Sequence, residues 1–209
     1  KNRFTLSLLV TLAGLILVGL LAMFILNPER QSTDAIGGAF TLTDQRGGVV
    51  TEAALKGAPS LVFFGFTHCP DVCPTTLTEL VEVKRLLGAQ GEQVQGVFVS
   101  LDPERDTPEV LKAYMANFDP GFVALTGNAE QLAGVAKNYK VYYKKVEGKT
   151  PATYTLDHSA ASYIYDPQGR LRLYARYGAG AAVLAADIKL LLAGKSRRRL
   201  QHFLSVTPP

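Results

Sequence analysis

The stretch SLVFFGFTHCPDVCPTTLTELVEVKRLL, residues 60–87, changes its hydrophobic period part-way along, and that change sets the fold class. From Ser60 to Thr67 the residues are almost all apolar or aromatic, the pattern of a short strand covered on both faces. From Pro74 to Ala89, Leu77, Leu80, Val81, Val83, Leu86 and Leu87 recur at helical spacing, with Glu79, Glu82, Lys84 and Arg85 between them. A buried strand hands over to an amphipathic helix, and both cysteines of the chain, Cys69 and Cys73, fall at the handover. The helix start is open between Pro70 and Pro74, because a proline costs little in a first turn.

Upstream, Phe40-Thr41-Leu42-Thr43 and Val49-Val50-Thr51 flank Asp44 to Gly48, which predicts a hairpin. Downstream, Val94 to Leu101 reads as the next buried strand and Asp102 to Pro108 as a loop into a second helix ending at Asn117. Phe122 to Leu125 reads as a short strand, Asn128 to Asn138 as a third helix and Val141 to Val146 as an extended segment. Strands at Ser159 to Tyr165 and Leu171 to Tyr177 are joined by Asp166-Pro167-Gln168-Gly169-Arg170, whose Pro and Gly suit a tight turn, and a last helix covers Ala181 to Leu192. Alternating βαβ units followed by an antiparallel hairpin and a helix make an α/β fold of thioredoxin-like plan, a mixed sheet flanked by helices.

Apolar residues are 47% of the chain, enough to fill one core without a disulfide framework. Phe4 to Leu26 carries no charge and, at about 23 residues, makes a helix of about 34 Å, long enough to cross a hydrocarbon core. A cleaved signal peptide needs an apolar region of about 7 to 15 residues and a small-x-small site, and Leu26-Asn27-Pro28-Glu29-Arg30 offers none. The predicted organisation is a single transmembrane anchor over 1–26, a linker over 27–38, a folded domain over 39–194 and a basic tail over 195–209. Lys1 and Arg3 ahead of the span favour a cytoplasmic N-terminus, and with no Arg-rich, Ser-rich transit segment before the span a bacterial inner membrane is expected over a mitochondrial one, the protein single-pass with its C-terminal domain in the periplasm.

The formal net charge of +4 arises at the chain ends, where Lys1, Arg3, Lys195, Arg197, Arg198 and Arg199 lie, so the body of the domain is slightly acidic. Nucleic-acid binding needs a basic face on the folded domain itself and is excluded. Leu200, Phe203 and Leu204 beside the basic run make the tail either a solvated charge run or a segment that lies on anionic lipid or on another membrane protein, with His202 solvated.

Two thiols four residues apart on a first helical turn share a face, and the free N–H groups of a helix start lower thiol pKa values. Two soft thiolates suit Cu(I) or Zn, and a third soft or borderline ligand completes a trigonal site. His158, in Asp157-His158-Ser159 just before the C-terminal hairpin, is the candidate, with Asp157 or a carbonyl to orient its ring. The same pair can cycle between dithiol and disulfide, and the disulfide excludes the metal. A structural disulfide is the plainer alternative, although a bridge over three intervening residues constrains little unfolded chain.

His68 points away from Cys69 if the strand continues that far. Asp71 reads as an exposed turn carboxylate or as one that tunes the thiolates or steers a partner. Residues 102–106 read as turn formation and helix capping, with partner contact as the alternative. Tyr139, Tyr142 and Tyr143 read as packing or surface aromatics rather than an electron path.

Three segments, FFGFTHCPDVCPTTL (63–77), LDPERDTPEVLKAY (101–114) and DHSAASYIYDPQGRL (157–171), resemble in that order the Sco/SenC family of copper proteins. The likeness runs from about Phe40 to Leu192 and takes in the anchor, while the basic tail lies outside it. It implies that Cys69, Cys73 and His158 are ligands for copper, as Cu(I) and also as Cu(II) if the oxidised metal stays bound. It further implies a membrane-anchored metallochaperone that assists assembly of the CuA centre of cytochrome c oxidase. The implied partners are the CuA-bearing oxidase subunit or other assembly factors, and a thioredoxin-like reductase that keeps the pair reduced. The runner-up is a thiol-disulfide oxidoreductase using Cys69 and Cys73 as its redox-active pair, which the C-x-x-x-C spacing disfavours; a redox or copper sensor is third.

Overall fold

The computed structural model describes residues 12–19, 36–150 and 153–194, and the chain divides into two units, Lys1–Ala35 and Ile36–Pro209. In the first unit residues 12–19 are helical; the remainder of the predicted span from Phe4 to Leu26 lies outside the described residues, as do most of the linker and the basic tail. Among the described residues no helix is long and apolar enough to cross a membrane.

The second unit runs β1 (Thr41–Asp44), β2 (Val49–Thr51), β3 (Ser60–Gly65), α1 (Val72–Leu87), β4 (Gln95–Ser100), α2 (Pro108–Met115) and β5 (Val123–Thr126). It continues with α3 (Ala129–Asn138), β6 (Tyr143–Val146), β7 (Thr155–His158), β8 (Ser162–Tyr165), β9 (Leu171–Ala175) and α4 (Ala181–Leu192). The main sheet has the order β2-β1-β5-β4-β3-β8-β9, and β6 and β7 form a separate two-stranded ribbon. Strands β3, β4 and β5 are mutually parallel, while β8 joins β3 antiparallel with Ser60 opposite Tyr165 and Phe63 opposite Ser162. This is the expected thioredoxin-like plan, with the parallel strands at the centre.

All six residues of β3 are buried, which is why this stretch reads as an unbroken apolar run. Successive side chains point to opposite faces. Phe63 packs against Phe98 of β4 on the face that α1 covers, while Phe64 meets Tyr139, at the end of α3, and Tyr163 on the other. Helix α1 buries Cys73, Leu77, Leu80, Val83 and Leu87, and packs on α4. Local signals set the other helix starts: the Thr107 side chain accepts from Val110 N ahead of Pro108, and Asn128 and Gln131 form a reciprocal capping box.

Three expectations are corrected. Strand β7 was not anticipated, because Thr155-Leu156-Asp157-His158 buries only Leu156 and pairs with β6 alone, so no core face imposes an apolar pattern on it. His158 therefore ends a strand, and β8 begins only at Ser162. Helix α1 starts at Val72, at neither proline, which leaves Cys69 in the preceding turn and only Cys73 in the helix. Helix α2 stops at Met115, where the Asn117 side-chain amide donates to the carbonyls of Ala113 and Tyr114 and ends the turn.

A Cβ on Gly96 in β4 would lie 2.4 Å from the buried Phe122 ring. Gly96→Ala is expected to lower stability by about 1–3 kcal/mol, the usual cost of overpacking, read as a lower urea midpoint at unchanged slope.

Candidate metal centre

After Gly65 the chain leaves the sheet through Phe66-Thr67-His68 and turns, with Cys69 N–H donating to the Phe66 carbonyl at 3.3 Å. Asp71 stands at the N-cap of α1, yet its side chain makes no capping bond. The sulfur of Cys69 takes that place, accepting from the backbone N–H of Cys73 at 3.3 Å and satisfying one of the free donors of the helix start. Cys73 is fully buried and Cys69 half-buried. Helix and strand meet here without room to spare, since a Cβ on Gly65 would lie 2.7 Å from Cys73 Sγ.

His158 comes from the ribbon, where it pairs with Tyr143 across β6 and β7. Its Nε2 is 3.4 Å from Cys73 Sγ and its Nδ1 is 3.0 Å from the Ser159 carbonyl oxygen. A carbonyl only accepts, so Nδ1 carries the proton and the Nε2 lone pair faces the sulfurs. Phe63 and Phe66 hold the ring edge-on, with centroids 6.2 and 5.8 Å away. The three ligand atoms of Cys69, Cys73 and His158 all lie within 4.8 Å of one another, although the cysteines and the histidine are 85 or more residues apart in sequence.

The thiols are electrostatically unequal. A hydrogen bond from Cys73 S–H pulls the Cys69 thiol down to about 4, with help from the backbone N–H groups of Asp71 and Cys73 against the cost of burial. The Cys73 thiol is pushed far above its ordinary range, because its proton is held by the Cys69 sulfur, because it is buried, and because the Asp106 carboxylate is near. The pair thus keeps one proton over a wide pH range, with the charge on the outer sulfur. Two sulfurs, an imidazole lone pair and a nearby carboxylate make an electron-rich cluster suited to a soft cation. Three donors about 2.0–2.3 Å from a shared ion in a trigonal arrangement sit about 3.5–4.0 Å apart, so holding one ion requires the widest separation to close by no more than about 1 Å.

Asp106 places the cysteine turn. Its carboxylate is fully buried and accepts from Thr67 N–H at 3.0 Å, from the Thr67 hydroxyl at 2.6 Å and from the Ser100 hydroxyl at 2.6 Å. Thr67 lies two residues before Cys69, so this carboxylate anchors the turn to the end of β4. The reading of residues 102–106 as capping and turn formation was incomplete: Thr107 caps α2, whereas Asp102 and Asp106 are buried acceptors. Hydrophobic periodicity carries no signal for a polar residue that is buried; the one available cue was an acidic pair bracketing a loop within a family-like segment.

His68 is exposed, with Nδ1 3.1 Å from the Thr67 hydroxyl, and is no part of the cluster. Asp71 is exposed and accepts from the Thr75 hydroxyl at 3.3 Å. Tyr139 is a core aromatic, Tyr142 is exposed and Tyr143 half-buried. His202 lies outside the described residues.

In the reduced protein iodoacetamide is expected to label Cys69 far faster than Cys73. The labelling rate should hold level from pH 8 to pH 6 and fall only as the pH drops toward the depressed pKa of about 4. Cys73→Ala removes the leading hydrogen-bond donor, so the midpoint of this rate profile should move up in pH. Peptide mapping of labelled protein across pH distinguishes a depressed Cys69 from two equivalent thiols.

The family model described as SCO1/SenC matches residues 28–193. An SCO2-like protein of Rickettsia felis is 45% identical over 136 residues, which is 65% of this chain and, at 66%, just under two thirds of that relative's length. A solved structure of Bradyrhizobium japonicum ScoI with copper bound is 48% identical with a TM-score of 0.69, covering 74% of this chain and 98% of that one. A third, BsSco, described by its disulfide switch and as a member of the Sco family of cytochrome c oxidase assembly proteins, is 26% identical with a TM-score of 0.61, covering 76% of this chain and 94% of that one. With a family match that takes in most of the chain and the three donors converging at one point, the chain belongs to the SCO1/SenC family.

Proposed function

We propose that the chain is a copper carrier that holds Cu(I) between Cys69 Sγ, Cys73 Sγ and His158 Nε2 and takes part in assembling the CuA centre of cytochrome c oxidase. The observation that carries this reading is the convergence of three donors within 4.8 Å from two separate parts of the fold. The copper-bound relative and the family of oxidase assembly proteins support the identity of the cargo and of the process.

The half-buried Cys69 thiolate is the natural first contact for an arriving ion. Binding to both sulfurs then requires Cys73 to give up the shared proton, so loading releases one proton per ion. The Ser159 carbonyl keeps Nδ1 protonated and leaves Nε2 free as the third donor. Transfer proceeds by ligand exchange at the open, Cys69 side, where a recipient's donor enters before Cys73 and His158 let go. The oxidase subunit that bears CuA, or another assembly factor, is the recipient, and a thioredoxin-like reductase returns any disulfide to the dithiol. Phe4 to Leu26 anchors the chain in a bacterial inner membrane with the domain in the periplasm, and the anchored domain works on a membrane-bound target.

A second reading is thiol-disulfide exchange with the target. It is favoured by the contrast between a half-exposed, acidic Cys69 and a buried Cys73 suited to resolve a mixed disulfide. His158→Ala separates the two: exchange with a model disulfide survives it, copper binding does not.

Competition with a chromophoric Cu(I) chelator is expected to give one copper per chain in the reduced protein. Cys69→Ala, Cys73→Ala and His158→Ala should each weaken binding by more than about 100-fold, since removing a ligand exceeds the 10–100-fold cost of removing a ligand's orienting partner. Unchanged affinity in all three variants removes the site. For the anchor, the full chain should sediment with membranes and resist carbonate extraction, and a chain lacking residues 1–35 should stay in the supernatant.

A further inference from the structure

The ribbon that carries His158 belongs to a sheet separate from the main one, so side chains rather than strand pairing must hold it over the cysteines. Leu156 and Tyr143 pack on the core, and polar side chains of the loop 102–106 add ties to the ribbon. The Arg105 guanidinium lies over the Tyr154 ring, 3.6 Å from Cζ to the centroid, and its Nη1 donates to the Tyr154 carbonyl at 2.9 Å. Arg105 Nε donates to Asp102 at 2.5 Å, and the Tyr154 hydroxyl donates to the other oxygen of Asp102 at 2.6 Å. Tyr154 immediately precedes β7, which His158 ends.

The same guanidinium lies 5.8 Å from the Phe66 ring, whose edge contact holds the His158 imidazole. A second, exposed tie joins Lys145 of β6 to Glu104 at 2.9 Å. Asp102, Arg105 and Tyr154 are withdrawn from solvent, so their mutual contacts are not screened away as surface ion pairs are. A planar guanidinium can stack on a ring while donating in two directions; an ammonium on a flexible stem cannot.

We propose that Arg105 is a positioning residue for His158: with Asp102 and Tyr154 it forms a latch that fastens the β6–β7 ribbon and so sets where Nε2 stands relative to the two sulfurs. The loop 102–106 then fixes both halves of the cluster, the cysteine turn through Asp106 and the histidine ribbon through Arg105. The latch itself stands on geometry alone, while its consequence for cargo rests on the copper-carrier reading.

The test uses the reduced full chain and two mild variants, Arg105→Lys and Tyr154→Phe. Without copper, hydrogen exchange followed by mass spectrometry is expected to speed up about tenfold or more in peptides covering β6 and β7, and to stay unchanged in those covering β3 and α1. Cu(I) affinity is expected to fall about tenfold or more in each variant, the range for loss of a ligand's support, yet to change less than twofold when the same substitution is made in His158→Ala. Unchanged ribbon exchange, or exchange that rises equally in β3 and α1, overturns the latch. Unchanged affinity, or an equal loss with and without His158, overturns its positioning role. Should the unsubstituted chain bind no Cu(I), the carrier reading falls, and the exchange measurement still decides the latch.

Discussion

The centre depends on a contact between a helix start and a strand end. Cys73 occupies the first turn of α1 and rests on Gly65, the last residue of β3, at a spacing that admits no Cβ. That close approach buries the Cys73 sulfur at the edge of the core, beside the Phe63 and Phe98 rings. The Cys69 sulfur is then drawn in as the cap of the same helix, because the N–H of Cys73 points at it. One thiol is held by packing and the other by the helix end that the packing creates.

Burial and hydrogen bonding, acting in opposite directions on the two sulfurs, make them chemically different. A buried thiolate is costly, and a second one beside it more so, which leaves the proton on Cys73 and the charge on Cys69. The imidazole contributes a lone pair rather than a proton, since its other nitrogen is committed to the Ser159 carbonyl. What results is a cluster short of positive charge, and this shortage suits it to a soft cation more than to a disulfide kept for stability. The Asp106 carboxylate adds to the negative potential while its own hydrogen bonds go to Thr67 and Ser100.

Asp102 and Asp106 show how buried polar groups join what the sheet does not. Between them they engage Arg105, Tyr154, Thr67 and Ser100, and so connect the β4 end, the cysteine turn and the ribbon. Each is almost wholly buried, so an unmet acceptor there would be expensive and their partners are held firmly.

Residues 60–87 determined by themselves that a doubly covered strand runs into an amphipathic helix with both cysteines between them, because burial on two faces and on one face leave different periods in the chain. The helix beginning at Asn128, the Asp166 to Arg170 turn and α4 are equally local, and each is legible from the chain's own pattern. His158 as the third donor was reached through its Asp-His-Ser setting and family likeness, not through periodicity. Its distance from the sulfurs, the start of α1 at Val72, strand β7 and the burial of Asp102 and Asp106 were settled only in three dimensions. The helix start is capped locally by the Cys69 sulfur, but the others depend on a partner farther along the chain, Tyr143 for His158, Thr67 for Asp106 and Tyr154 for Asp102, and no local pattern encodes which distant group will satisfy a buried polar atom.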